Sequence, residues 1–199
     1  MKRREFFKSS LFGLSIPSFI FGKSKISKNN PLIITTWNYP KANEIALGLL
    51  NNHGNAIDAV EAGCRIVEAD EENIYVGIGS LPDENGKVTL DSCVMDSRGN
   101  CGSVAFLQNI IHPVSVARKV MDDTKHVMLV GDGAKKFALS KGFKHKNLLT
   151  KKSSKAWREW LKNKRNMSPH DTHDTISMLA QDHNGDLAGA CTTGGWAYK

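Results

Sequence analysis

His173-Asp174-Thr175-Ile176-Ser177-Met178-Leu179 is followed by Asn184-Gly185 and then by Gly189-Ala190-Cys191-Thr192-Thr193-Gly194-Gly195. Thr175 to Asp182 and Leu187 to Thr193 are small, β-branched or apolar, and Asn-Gly between them is the strongest short hairpin signal. If His183-Asn184-Gly185 is a three-residue loop with Gly185 left-handed, residues whose numbers sum to 368 face each other, which sets Thr175 opposite Thr193. Opposed Cβ atoms lie about 5 Å apart. A two-residue loop slips that register by one.

Two facing hydroxyls, the first directly after an Asp, have a specific chemical use. A Thr hydroxyl is a weak nucleophile without a neighbouring base, and cutting the preceding peptide bond frees the residue's own α-amine for that purpose. That amine titrates at roughly 7.7 to 8, so it accepts a proton near neutrality. On spacing alone, an ordinary hairpin rich in strand-favouring Thr is the better account of the pattern.

The two stretches resemble those of the glycosylasparaginases, which are N-terminal-nucleophile hydrolases. Further blocks of the resemblance follow in the same order: Thr36-Trp37-Asn38, Val76 to Asp83, Asp91 to Asp96, His112 to Met121 and His126 to Ala134. Together they cover nearly all of residues 31–199. The resemblance implies an α+β fold, the four-layer αββα sandwich of that superfamily, incomplete in this chain. It implies an α-subunit segment over 31–174 and the start of a β-subunit segment over 175–199. Thr175 is then the nucleophile, Thr193 the hydroxyl that bonds to it and tunes it, and Trp37 a wall of the substrate pocket. Asp174 or His173 assists the proton transfer of self-cleavage. The implied reaction is hydrolysis of the N4-(β-N-acetylglucosaminyl)-L-asparagine amide, with no metal and no organic cofactor. The implied partners are a small glycosylated asparagine, the chain's own β segment after cleavage and a second αβ unit in a dimer.

The sequence departs from the family pattern at three places. Tyr75 stands where a Ser is usual, and Ser80 where a second Gly is common. The family also continues beyond the position of Lys199, with an Arg and an Asp that hold the substrate's α-carboxylate and α-amine, and a Thr-Gly pair that supplies oxyanion donors. Without such groups a site loses its strongest charge-assisted contact and a hundredfold or more in rate, roughly. The chain is therefore expected to be C-terminally truncated and unable to run the full reaction alone. Two other functions compete: an isoaspartyl peptidase or L-asparaginase of the same superfamily, which more often has Gly before the Thr, and an inactive, unprocessed remnant.

The formal charge of +7 invites a nucleic-acid reading, but residues 1–30 carry +6 of it and leave +1 for the rest. The basic stretch from Lys135 to Arg165 reads as a solvated helix face, because no base-stacking or groove-reading motif accompanies it. Residues 1–30 instead read as an export signal and linker. Arg3-Arg4-Glu5-Phe6-Phe7-Lys8 resembles a twin-arginine signal, and the apolar run from Ser9 to Phe21 is too short to span a bilayer. The expected location is the periplasm or outside the cell.

Four cysteines at 64, 93, 101 and 191 have no C-x-x-C spacing, which argues against zinc. Cys93 and Cys101 flank a turn and are candidates to meet across a hairpin; Cys64 and Cys191 read as packed thiols. The remaining pattern predicts a strand from Leu32 to Trp37, a helix with Ile45, Ala46, Leu49 and Leu50 on one face, and a second helix opened by Asn55. A meander of strands then spans Tyr75 to Leu107. Beyond it come a helix from Pro113, a buried strand from Val127 to Val130, a helix closed by Gly142, and one carrying Trp157, Trp160 and Leu161. Asn166 to His173 reads as an exposed lead-in to the Asp174-Thr175 bond.

Overall fold

The computed structural model describes residues 30–163 and 174–199. The signal-like segment, the Asn166 to His173 lead-in and His173 itself lie outside the described residues.

Six strands form one sheet: β1 (Leu32–Thr35), β2 (Leu90–Met95), β3 (Cys101–Leu107), β4 (Met128–Val130), β5 (Thr175–Gln181) and β6 (Leu187–Thr193), in the order β1-β5-β6-β2-β3-β4. All pairs are antiparallel except β3 with β4. Helices α1 (Pro40–Asn51), α2 (Ala56–Glu68), α3 (Pro113–Asp123) and α4 (Gly131–Ser140) share one core with the sheet, and α5 (Lys151–Asn163) lies apart from it. The class is α+β, and these residues supply a sheet and the helical layer on it, two of the four layers expected.

Strand alternation decides which face the helices cover. On β5, Ile176, Met178 and Ala180 are buried beneath α2, as are Ala188, Ala190 and Thr192 on β6. The opposite face is open: Leu32, Ile34, Met95, Leu179 and Leu187 are each more than half exposed there. Thr175, Ser177, Cys191 and Thr193 share this open face.

Asn55 caps α2, its side-chain oxygen accepting from the Asp58 amide at 2.9 Å, and Val60, Cys64 and Val67 are buried. Pro40 and Pro113 occupy the first turns of α1 and α3, where a missing N–H costs nothing. Gly142 takes the left-handed conformation just beyond α4. Trp157 lies against Gly86 and donates to the Glu84 carbonyl, while Trp160 stacks on Tyr198 at 4.5 Å, so the aromatic side of α5 is used in packing.

Four expectations are corrected. Tyr75 to Ser80 is not a strand: the Asn73 side chain accepts both the Tyr75 and Val76 amides, and Gly77–Gly79 forms a 3-10 turn that Gly77 enters at φ +71°. On α1 the buried line is Ala42, Ala46 and Leu50, and Ile45 and Leu49 are exposed because only the 4-residue row faces the core, packed mainly against α2. Strand β4 is a sheet edge, with Met128 and Val130 half exposed rather than buried. Cys101 faces Met95, which staggers it from Cys93, and all four cysteines are free thiols; Cys64 is buried as expected.

Candidate active site

The hairpin forms in the register that sets Thr175 opposite Thr193, and every β5/β6 pair sums to 368. Asp182 and Asp186 close the loop and Gly185 adopts φ +84°. Asp182 ties the turn down: it accepts from the Asn184 and Asp186 amides and from the Ala56 amide at the start of α2. The three-residue loop is thereby anchored to the helical layer.

At the open end of this hairpin the polar groups converge on one peptide bond. The Thr193 hydroxyl donates to the Asp174 carbonyl oxygen at 2.8 Å and in turn accepts from the Gly195 amide at 2.9 Å. In the unbroken chain the hydroxyl is committed to the carbonyl of the residue before Thr175. A donor so placed stabilises negative charge arising on that oxygen when the carbonyl is attacked. The Thr175 amide donates to Oδ1 of Asp174 at 2.7 Å, which sets a carboxylate against the nitrogen of the same peptide group.

Thr36 holds the other side of Thr175. Its hydroxyl donates to the Thr175 carbonyl at 3.1 Å and accepts from the Ser177 amide at 3.1 Å, which prolongs the β1/β5 ladder by side chain after β1 ends. Trp37 follows it with an indole about half exposed, at the rim of the same end of the sheet. Thr36 is a site residue that sequence reasoning missed; a Thr just past a strand end, before an aromatic residue, is the signal it offers.

The turn after β6 is fitted closely. The Gly194 amide donates to the Tyr75 carbonyl at 2.7 Å, and a Cβ on Gly194 would come within 2.6 Å of Ser80 Oγ, so glycine is required. Tyr75 and Ser80, the two departures in this block, are therefore backbone and packing neighbours of the Gly194-Gly195 turn. The Lys199 ammonium donates to the Gly194 carbonyl on the far side, and burial pulls it below the ordinary lysine range.

Two further groups lie close by: a glutamate that the sequence did not flag, and a cysteine pair that it did not bring together. Glu68 is fully buried behind β6, where Thr192, Val114 and His112 surround its carboxylate; burial raises it above the ordinary carboxylate range against the pull of those donors. On the open face Cys191 is directly across from Cys93 in the β2/β6 pairing. The Cys93 thiol across from it lowers Cys191 to about 6, helped by the Ser177 hydroxyl at 3.4 Å, while Cys93 itself is raised. Among the described residues no group of three or more His, Cys, Asp or Glu side chains is arranged to hold a metal ion.

The sequence profile of the Asparaginase family matches residues 18–199. A protein of Elizabethkingia miricola named N(4)-(β-N-acetylglucosaminyl)-L-asparaginase is 53% identical over 174 residues, covering 86% of this chain and 51% of the relative. The mouse protein of the same name is 34% identical over 203 residues, covering 85% of this chain and 59% of its own length. The chain thus spans little more than half the length of the curated relatives it matches. With a profile match over most of its residues, it belongs to the Asparaginase family, the N-terminal-nucleophile hydrolases that include the glycosylasparaginases.

Proposed function

We propose that this chain is the self-cleaving segment of an amidohydrolase that acts on N4-(β-N-acetylglucosaminyl)-L-asparagine, with Thr175 as nucleophile. The observation that carries the reading is the Thr193 hydroxyl on the Asp174 carbonyl, a donor aimed at the peptide oxygen where charge would develop. The names of the relatives supply the substrate class.

In the first stage Thr175 Oγ attacks the Asp174 carbonyl carbon, and the oxyanion gathers on the oxygen that Thr193 holds. Asp174 Oδ1, beside the Thr175 nitrogen, takes up the hydroxyl proton and returns it to that nitrogen as the C–N bond breaks. Water hydrolyses the resulting ester, leaving one piece that ends at Asp174 and one that starts at Thr175. In the second stage the freed amine activates the same hydroxyl against the side-chain amide of the glycosylated asparagine. A β-aspartyl enzyme forms, the glycosylamine departs, and water releases aspartate. Trp37, at the rim, would line the pocket, and the separated segment from Thr175 onward would stay paired through β5 and β6. The assembly is read as a dimer of such αβ units. The twin-arginine-like start supports export to the periplasm as the location.

Mass spectrometry of the full-length protein tests the first stage. Wild type is expected as two fragments, the second beginning at Thr175, and Thr175→Ala as one intact chain. A Thr175→Ala protein that still splits at this bond overturns the reading. Comparing glycosylated asparagine with β-aspartyl dipeptides as substrates tests the second stage; preference for the dipeptides would reassign the substrate.

A further inference from the structure

Glu68 closes α2 on the helical side of the sheet, directly behind the strand that carries Thr193, and has no solvent exposure. Its Oε1 accepts from the Thr192 hydroxyl at 2.8 Å and from the Val114 amide at 3.0 Å, and its Oε2 faces His112 Nδ1 at 3.2 Å. Val114 lies in the first turn of α3, whose N-terminal amides favour a negative partner. One carboxylate thus joins the end of α2, the start of α3 and the end of β6. An apolar side chain of similar volume generally serves packing at a buried site as well as a charge does.

What the carboxylate adds is direction. Thr192 and Thr193 are successive strand residues that point to opposite faces, so fixing the Thr192 hydroxyl fixes the rotation of the strand end and with it the aim of the Thr193 hydroxyl. That aim sets the 2.8 Å bond to the Asp174 carbonyl. We infer that Glu68 is a positioning residue for self-cleavage, acting through Thr192 to hold the Thr193 hydroxyl on the Asp174 carbonyl. The inference rests on the proposed cleavage at Asp174-Thr175.

The test is the rate at which freshly made full-length protein converts from one chain to two, followed by mass spectrometry for wild type, Glu68→Ala, Glu68→Gln and Thr192→Val, with thermal unfolding of each to show that it is folded. Folded Glu68→Ala and Thr192→Val are expected to slow conversion by about tenfold or more, because misaim of a catalytic donor is costly. Glu68→Gln, whose amide oxygen still accepts from Thr192 and Val114, is expected to stay within about threefold of wild type. Should Glu68→Ala fail to fold, Thr192→Val decides, since it removes only the hydroxyl. A folded Thr192→Val protein converting at the wild-type rate, or Glu68→Gln as slow as Glu68→Ala, overturns the positioning role while cleavage itself stands. A wild-type protein that remains uncut between Asp174 and Thr175 overturns both.

Discussion

The hydroxyl of Thr193 is bonded to the carbonyl oxygen of Asp174 at 2.8 Å while the chain between Asp174 and Thr175 is still continuous. A donor aimed at that carbonyl oxygen is thus in place in the unbroken chain, and the Gly195 amide orients it at 2.9 Å. Thr193→Val keeps the shape and removes the donor. Conversion to two chains is expected to slow by about a hundredfold, the usual loss for one oxyanion donor. A time course of fragment appearance measures it, and an unchanged rate would place the donor elsewhere.

Much of this end of the hairpin was legible because local rules dictate it. Asn184-Gly185 marks the turn, and a three-residue loop there puts Thr175 across from Thr193; the choice of three residues over two is held by Asp182, which accepts from the Asn184, Asp186 and Ala56 amides. The course from Tyr75 to Ser80 was not legible, because its apolar pattern mimics a strand while the Asn73 side chain takes the amides that a ladder would need. Glu68 was hidden for a similar reason. A Glu in the last turn of an amphipathic helix reads as solvated, and only the tertiary arrangement of Thr192, His112 and Val114 reveals it as buried.

Thr36 bridges the two strands beside Thr175, so Thr36→Val removes the donor to the Thr175 carbonyl and the acceptor of the Ser177 amide together. The expected loss is about 1 kcal/mol of local stability, equivalent to roughly fivefold faster exchange of the Ser177 amide if that site opens locally. Hydrogen exchange followed by NMR reads that amide directly. No change in its exchange would mean that the backbone ladder alone holds the start of β5.

Gly77 adopts φ +71°, and a Cβ there would collide with the Glu68 backbone at the end of α2. Gly77→Ala combines an unfavourable left-handed backbone with a clash against a main chain that cannot rotate away. The cost is expected to be at least about 3 kcal/mol. Denaturant unfolding would show it as a lower midpoint. A near-neutral result would mean that the Gly77–Gly79 turn shifts freely from the helix end, and the tight seat described for Glu68 would then be wrong.

The buried Glu68 carboxylate makes a prediction about pH whose sign follows from linkage. Burial lifts its folded-state value above the ordinary one of 4.5, with His112 and Thr192 pulling in the other direction without cancelling it. Above 4.5 the unfolded chain therefore sheds this proton while the folded chain still keeps it, so the folded form binds more protons there and stability falls as pH rises. Below 4.5 the two states are alike in charge and the contribution is fully present. Glu68→Gln carries no titrating group, yet its amide oxygen still accepts from Thr192 and Val114. The difference in unfolding free energy between Glu68→Gln and wild type should hence move in favour of the variant as pH is raised from about 4.5 through the folded-state value, and level off beyond it. Urea unfolding of both proteins at matched pH values measures that difference. If it moves the opposite way, the Thr192, Val114 and His112 bonds outweigh burial and the carboxylate is a net stabiliser in its charged form.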